Sequence, residues 1–180
     1  MVPELTDEEK KLFKILSSLN INWKRYSHPP VFTLSEAQQY WQGTSGAHGK
    51  NLFLRNYKGN HHYLVIVEAG KNVNLKKLNA YLKEDRLSFA SPERLKKFLG
   101  VLPGAVSPFG LINDTNKEVV VVIDQDLLGY SSLNFHPNVN TATLEISQAD
   151  FQKFLNWSGQ KIIYWKIESP SGSENKKNGG

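Results

Sequence analysis

The sequence predicts one domain of mixed α/β (α+β) class, in which short helices surround a mixed, largely antiparallel sheet. Three observations lead to this fold class. Apolar runs of strand length come in pairs separated by turn residues, which is typical of hairpins. Segments with helical periodicity are short, and they do not follow the strict strand–helix–strand alternation of a parallel sheet. The length of 180 residues suits one ordinary domain.

The first helix begins at a capping box, in which Thr6 accepts a hydrogen bond from the helix and Glu9 reaches back to the threonine main chain. Its apolar face recurs at helical spacing through Leu12, Phe13, Ile15, Leu16 and Leu19. Residues 21–28 alternate between apolar and polar side chains and predict a strand, which two consecutive prolines end. Residues 33–41 predict a short helix with a threonine or serine at its start.

The middle of the chain predicts a hairpin of two strands, residues 51–56 and 61–68, joined by the turn sequence Tyr-Lys-Gly-Asn. Two amphipathic helices follow, over residues 74–82 and 91–99, and the second has a Ser-Pro start. Residues 100–110 form a Gly/Pro-rich loop. The remaining predicted elements are strands at 109–112, 118–123, 130–135 and 141–145, a helix at 147–156 and a last strand at 161–167.

The domain is expected to span residues 1–168, and residues 169–180 have the composition of a flexible tail or an interdomain linker.

The longest apolar runs are too short to cross a bilayer. The N-terminus is polar and acidic, unlike a secretory signal or a transit peptide, so a cytoplasmic location is expected. The chain has no cysteine, which excludes disulfides and thiolate chemistry.

Charge and histidine spacing limit the kinds of site that the chain can carry. The formal charge is +5, from 22 basic and 17 acidic side chains. Such an excess is compatible with binding a polyanion such as RNA, but more often it reflects a solvated basic surface. His61 and His62 are adjacent in a predicted strand and point to opposite faces, and the other histidines are far apart in sequence. We therefore expect no metal and no cofactor.

Three features could carry chemistry. Lys50 lies at the start of a predicted strand, where it either points into water or orients a substrate carbonyl as a point charge. The loop at residues 100–110 could offer backbone N–H groups to an anionic oxygen, although a plain turn explains the same composition. His136 follows a strand and precedes Pro137, so it either projects into a cleft or satisfies a loop hydrogen bond.

Four ordered segments are more specific together than each is alone. They are "SHPPVFT" at residues 27–33, "GKNLFLRN" at 49–56, "GVLPGAVSPFGLIND" at 100–114 and "FHPNVNTATLEIS" at 135–147. Their order and spacing resemble the YbaK/prolyl-tRNA-synthetase-associated editing-domain family over almost the whole chain. The third and fourth segments are most similar to the free-standing alanyl-tRNA(Pro) deacylases of that family.

The resemblance implies a YbaK-like fold and hydrolysis of a mischarged alanyl ester on the 3′ end of tRNA(Pro), without metal or cofactor. The implied partners are the tRNA(Pro) acceptor end and, as an open question, prolyl-tRNA synthetase. By resemblance, Lys50 and His136 are the catalytic residues. The implied substrate-binding residues are Val31, Phe32, Asn51, Leu54, Gly104, Ser107, Pro108 and Phe135.

An aminoacyl ester is already activated, so positioning and charge stabilisation can supply much of the catalysis without a nucleophilic side chain. Lys50 would hold the ester or neighbouring oxygens, and a water would attack, assisted by a terminal ribose hydroxyl. A small apolar pocket would admit the alanyl methyl group and exclude larger side chains. Three alternatives stay open: an editing domain appended to a prolyl-tRNA synthetase, a cysteinyl- or seryl-tRNA deacylase, and a non-catalytic tRNA-binding regulatory module.

Overall fold

One eight-stranded mixed sheet organises the chain, whose computed structural model describes residues 3–168. Its strands are β1 (Trp23–Ser27), β2 (Ala47–Asn56), β3 (His62–Glu68), β4 (Leu87–Phe89), β5 (Val119–Asp124), β6 (Ser132–Phe135), β7 (Ala142–Ser147) and β8 (Ile162–Trp165). They lie in the order β1-β7-β6-β2-β3-β5-β8, and β4 also pairs with β2. Antiparallel pairs join β1 to β7, β3 and β4 to β2, and β6 to β7, whereas β2–β6, β3–β5 and β5–β8 are parallel. The predicted mixed, largely antiparallel sheet is confirmed, and the predicted tail lies outside the described residues.

Short helices surround the sheet, as the periodicity predicts. They are α1 (Asp7–Ser18), α2 (Leu34–Gln38), α3 (Leu75–Leu82), α4 (Pro92–Leu99) and α5 (Gln148–Ser158). The capping box of α1 is formed, since the Glu9 amide donates to Thr6 Oγ1 at 3.2 Å and the Thr6 amide donates to Glu9 Oε2 at 3.0 Å. Across the part of the chain that the structure describes, no helix combines the length and the apolar character that a membrane crossing requires.

A 3₁₀ helix at Pro108–Asn113 replaces the strand predicted over residues 109–112. Ser107 caps it by accepting a hydrogen bond from the Phe109 amide at 3.1 Å, and Pro108 fixes the first turn. Gly110 packs against α4, where an added Cβ would lie 2.9 Å from Leu99 Cβ. The apolar run is therefore buried as a tight turn, because its cap and its proline favour helical geometry over a ladder.

Two apolar clusters cover the two faces of the central strands. In β3, Leu64 and Ile66 face the larger cluster, whereas Tyr63, Val65 and Val67 face the smaller one. The larger cluster includes aromatic rings from the 3₁₀ helix, β6 and α5, namely Phe109, Phe135, Phe151 and Phe154. The smaller cluster lies under α3. Successive side chains of a strand alternate between faces, so this double burial explains the continuous apolar run of β3.

The sheet splits where β2 and β6 separate. These parallel strands share only two residue pairs, Ala47 with Leu133 and His48 with Asn134. Beyond them β2 continues beside β3, and β6 continues beside β7. Gly49 allows the Phe135 ring to lie against β2, because an added Cβ at Gly49 would be 2.2 Å from Phe135 Cε1. The divergence leaves a gap at the carboxyl end of β6, and such gaps are where open sheets bind ligands.

Candidate active site

A cavity of about 310 Å³ occupies the gap between β2 and β6. Its walls come from β2, from the end of β6, from α2 and the segment before it, and from the Gly/Pro loop. The lining residues are Val31, Phe32, Thr33, Leu34, Ala37, Trp41, His48, Gly49, Lys50, Asn51, Gly104, Val106, Asn134, Phe135, His136 and Thr143. The four segments that carry the resemblance all contribute residues to this cavity.

Seven of the sequence-predicted site residues meet in the cavity: Val31, Phe32, Lys50, Asn51, Gly104, Phe135 and His136. Val31 and Phe135 are buried and form its apolar wall, whereas Phe32 is 71% exposed and lies at the rim. Gly104 has φ +88°, and an added Cβ would lie 3.3 Å from the Phe32 ring. The loop glycine therefore allows the main chain to pass close under that ring.

Three predicted site residues lie outside the cavity, which corrects the expectation that they line it. Leu54 is fully buried in the smaller apolar cluster; it shares the strand face of Lys50 but lies four residues further along β2, beneath α3. Ser107 is fully buried and caps the 3₁₀ helix, and Pro108 is buried in the first turn of that helix. The Gly/Pro loop contributes Gly104 and Val106 to the cavity instead.

Lys50 borders the cavity, and its ammonium donates a hydrogen bond to the main-chain carbonyl of Lys71. Burial lowers the pKa of the Lys50 ammonium from its ordinary value, since desolvation disfavours the charged form. Lys50 is a lining residue, and the carbonyl that holds its ammonium belongs to a residue outside the lining. This geometry suits a point-charge donor to a substrate oxygen.

His136 presents a defined face to the cavity. Its Nδ1 lies 2.9 Å from the carbonyl oxygen of Ala142, and a carbonyl can only accept, so Nδ1 carries the proton. In the neutral ring Nε2 is therefore a hydrogen-bond acceptor. Burial lowers the pKa of His136, against a smaller opposing effect of the Ala142 bond, so the neutral ring is favoured.

Trp41 and His48 are among the lining residues that were not predicted. Their rings stack with centroids 3.9 Å apart, and His48 Nε2 lies 2.8 Å from Thr44 Oγ1. Burial lowers the pKa of His48 to about 4, so this ring is a neutral wall. The spacing of β2 could have indicated His48, because it precedes Lys50 by two positions and so shares its strand face.

Asn51 and Asn134 each leave one acceptor unused. The Asn134 amide nitrogen donates to the carbonyls of Ser45 at 2.6 Å and Ala47 at 3.2 Å, which fixes the amide orientation and leaves Oδ1 without a partner. Asn134 is 1% exposed. Asn51 Oδ1 is likewise buried and unpartnered among residues 3–168. Both residues line the cavity, and in both the amide oxygen itself has almost no exposed surface.

Comparison with known proteins decides the family. The aminoacyl-tRNA editing domain model matches residues 28–154. Prolyl-tRNA editing protein ProX of Acetoanaerobium sticklandii is 40% identical over 153 residues, covering 85% of this chain and 93% of that protein. The chain belongs to the aminoacyl-tRNA editing domain family. Prolyl-tRNA synthetase associated domain-containing protein 1 of Xenopus laevis is 36% identical to this editing domain, with 87% and 95% coverage.

The fold of the editing domain agrees with this assignment. A solved structure of a candidate trans-editing enzyme for prolyl tRNA synthetase superposes with a TM-score of 0.69 at 23% identity. The match covers 92% of this chain and all of that one. Within residues 3–168 the editing domain has no group of three His, Asp or Glu side chains arranged to bind a metal ion.

Proposed function

We propose that this editing domain is an aminoacyl-tRNA deacylase that hydrolyses alanyl-tRNA(Pro). The observation that carries the proposal is the convergence of Lys50, Asn51 and His136 on one small cavity in the split of the sheet. Family membership supports the reaction class, and the relative named as a prolyl-tRNA editing protein supports the tRNA.

Water is the nucleophile in the proposed reaction. Its oxygen attacks the ester carbonyl carbon, the bond from that carbon to the ribose oxygen breaks, and the products are alanine and tRNA with a free terminal hydroxyl. The Lys50 ammonium stabilises the negative charge that develops on the carbonyl oxygen. Nε2 of His136 accepts a hydrogen bond from the attacking water or from the neighbouring ribose hydroxyl. The Thr143 hydroxyl, which lies 3.0 Å from His28 Nε2, takes no part in this proposed route.

Three hydrogen-bond acceptors belong to residues that line the cavity, and we propose that they bind the α-ammonium of the aminoacyl group. Asn51 Oδ1 and Asn134 Oδ1 are unpartnered, and His136 Nε2 is an acceptor. A primary ammonium has three N–H donors, whereas the secondary amine of a prolyl group has two. We propose that this shortage of donors, together with ring size, protects correctly charged prolyl-tRNA(Pro). One buried acceptor left unpaired costs about 1–3 kcal/mol, or about 5- to 150-fold in rate.

The apolar wall limits the size of the aminoacyl side chain. Val31 and Phe135 are 2% exposed each, and Phe135 packs edge-on to Phe109 with the ring centroids 6.1 Å apart. Gly49 brings this ring against β2 and narrows the cavity. Because the Phe135 ring is close-packed against its neighbours, it cannot move aside to make room for a larger aminoacyl side chain. We assign the alanyl methyl group to this wall.

The rim is suited to the terminal nucleoside. Phe32 stands 71% exposed beside the cavity, and Leu102 of the Gly/Pro loop is 67% exposed. Base–aromatic stacking contributes about 1–3 kcal/mol per base in single-stranded RNA binding. We propose that the base next to the ester stacks on the Phe32 ring. This assignment moves Phe32 from the predicted inner wall to a nucleotide contact.

Hydrolysis of a panel of misacylated tRNA(Pro) tests the proposed function. The wild type should release alanine from alanyl-tRNA(Pro) and leave prolyl-tRNA(Pro) intact. Lys50→Ala should lower kcat by about 100-fold, because a charge-stabilising donor is lost from the transition state. If the wild type leaves alanyl-tRNA(Pro) intact, the chain is a tRNA-binding module. Rapid hydrolysis of seryl- or cysteinyl-tRNA(Pro) with the alanyl ester spared would overturn the assigned specificity.

Partners and location follow from the proposed reaction. The acceptor end of tRNA(Pro) is the macromolecular substrate, prolyl-tRNA synthetase is the enzyme whose errors this domain would correct, and the cytoplasm is where both meet. The formal charge of +5 supports attraction to an RNA substrate. Binding measured against salt checks this, because phosphate contacts make affinity fall as the salt concentration rises.

A further inference from the structure

The position of the Lys50 ammonium depends on a hydrogen bond to Lys71, a residue that does not line the cavity. Lys50 pairs with Val67 across β2 and β3, so its side chain begins on the face of the smaller apolar cluster. From there its ammonium meets the main-chain carbonyl of Lys71, in the loop between β3 and α3. A shift of the Lys71 carbonyl would therefore move the Lys50 ammonium or break its hydrogen bond.

The Lys71 side chain ties this loop to the far side of the sheet. Its Nζ lies 2.7 Å from Asp124 Oδ2 and 2.5 Å from Asp126 Oδ2, and it donates to the Ile167 carbonyl at 3.0 Å. The Asp124 contact is an ion pair without hydrogen-bond alignment, since Oδ2 has no hydrogen-bond partner among residues 3–168. Asp124 is fully buried at the end of β5, so the loop is held to a rigid strand.

The ion pair is partly shielded from water, because Asp124 is fully buried whereas the Asp126 side chain is 46% exposed. Burial disfavours the Lys71 cation, but its interactions with the Asp124 and Asp126 carboxylates outweigh that effect and raise its pKa. The side chain of Lys71 is 13% exposed. A buried pair of this kind is weak support for stability in general, and its use here is to hold one geometry.

We propose that Lys71 is a positioning residue for Lys50: its side chain, clamped by Asp124 and Asp126, holds the carbonyl that places the Lys50 ammonium at the cavity. The inference rests on the proposed function for its kinetic consequence, but the placement itself can be measured without catalysis. Nothing in the sequence patterns singled out Lys71, because its partners come from loops and strands far away in the chain.

Lys71→Met should uncouple the loop, and Lys71→Arg should retain the clamp. In Lys71→Met we expect kcat for alanyl-tRNA(Pro) to fall by about 10- to 100-fold, with KM within about twofold, because catalysis depends on ångström-scale placement of the cation. Lys71→Arg should recover most of kcat. Lys76→Met is the matched control, since Lys76 is exposed on α3 and is expected to leave both parameters unchanged.

Chemical labelling of Lys50 separates positioning from the reaction. Acetic anhydride modification, followed by mass spectrometry, should proceed about three- to tenfold faster at Lys50 in Lys71→Met than in the wild type, because a hydrogen bond to the ammonium is lost. If Lys71→Met fails to fold, Asp126→Asn decides, because its side chain is 46% exposed and tolerates substitution. Unchanged Lys50 labelling in a folded variant overturns the proposal. If the wild type has no deacylase activity but Lys50 is still labelled faster in Lys71→Met than in the wild type, the proposed function is refuted and the positioning role of Lys71 stands.

Discussion

At the scale of single residues, the polar side chains that line the cavity differ in whether their hydrogen-bonding atoms already have a partner within the protein. Lys50 and His136 each have one partner in the main chain, Lys71 and Ala142 respectively. Asn51 and Asn134 each retain a free oxygen. The sequence indicated Lys50, Asn51 and His136 by motif, but it could not show these partners, because they depend on pairing between distant strands.

Asn51→Leu tests recognition of the α-ammonium. The wild type should hydrolyse N-methylalanyl-tRNA(Pro) about 10-fold more slowly than alanyl-tRNA(Pro), because the methyl group removes one of three donors. In Asn51→Leu both esters should react slowly and at similar rates, since the acceptor is absent for both. The measurement is kcat/KM for each ester with each protein. A variant that keeps the full wild-type preference would contradict the assignment.

The acid limb of the pH–rate profile tests the role of His136. Burial lowers the pKa of His136 below its ordinary value of 6.5, so Nε2 keeps its lone pair through neutral pH and loses it only in more acidic solution. The acid limb of the kcat/KM profile should therefore lie below pH 6.5, where the rate falls as pH drops through the lowered pKa. His136→Gln, which keeps a donor for Ala142 but does not titrate, should remove that limb. Persistence of the limb in the variant would assign it to another group.

At the scale of elements, the cavity depends on how two strands part. Local patterns indicated β3 and β5 to within one residue at each end, because each is an apolar run bounded by turn residues. They predicted β2 only from residue 51 and missed its first four residues, 47–50. The three-residue β4 was missed, since so short a segment shows no alternation, and the 3₁₀ helix at Pro108–Asn113 was read as a strand from its apolar residues. The parallel pairing of β2 with β6 was also beyond local patterns, because it joins residues 86 positions apart.

Gly49→Ala tests the contact that shapes the split. The new Cβ would meet the Phe135 ring at 2.2 Å, so ring or strand must shift. We expect a loss of about 1–3 kcal/mol in the free energy of unfolding, together with a clear fall in kcat/KM. Gly70→Ala is the matched control, because an added Cβ there has nothing within 4 Å. Equal effects of the two substitutions on unfolding and on hydrolysis would show that the contact is not critical.

At the scale of the whole molecule, buried histidines connect stability to pH. His62 is 4% exposed, accepts a hydrogen bond from Arg94 at 2.8 Å and packs on Phe98. Burial, followed by the charge of Arg94, lowers its pKa to about 4. Burial lowers the pKa of His48 to about 4 as well. Between pH 6.5 and 4 the unfolded chain therefore binds more protons than the folded one, so acid favours unfolding.

Urea unfolding at several pH values measures this effect. The free energy of unfolding should change little close to pH 7 and should fall as pH drops from 6.5 towards 4, with His62 alone contributing on the order of 3 kcal/mol. His62→Gln should be less stable at neutral pH and less sensitive to acid, because its amide does not titrate. A pH dependence identical to that of the wild type would show that His62 does not carry the effect.

The divergence of β2 and β6 also bears on how such a domain changes during evolution. The opening is made by the main chain, through strand order, so no wall side chain is needed to create it. Substitutions at Val31, which lies before α2 and outside the sheet, can therefore alter which aminoacyl group fits while the strands stay where they are. Substrate range can drift one side chain at a time on a constant scaffold, whereas a site assembled from mobile loops would have to rebuild its shape with each change.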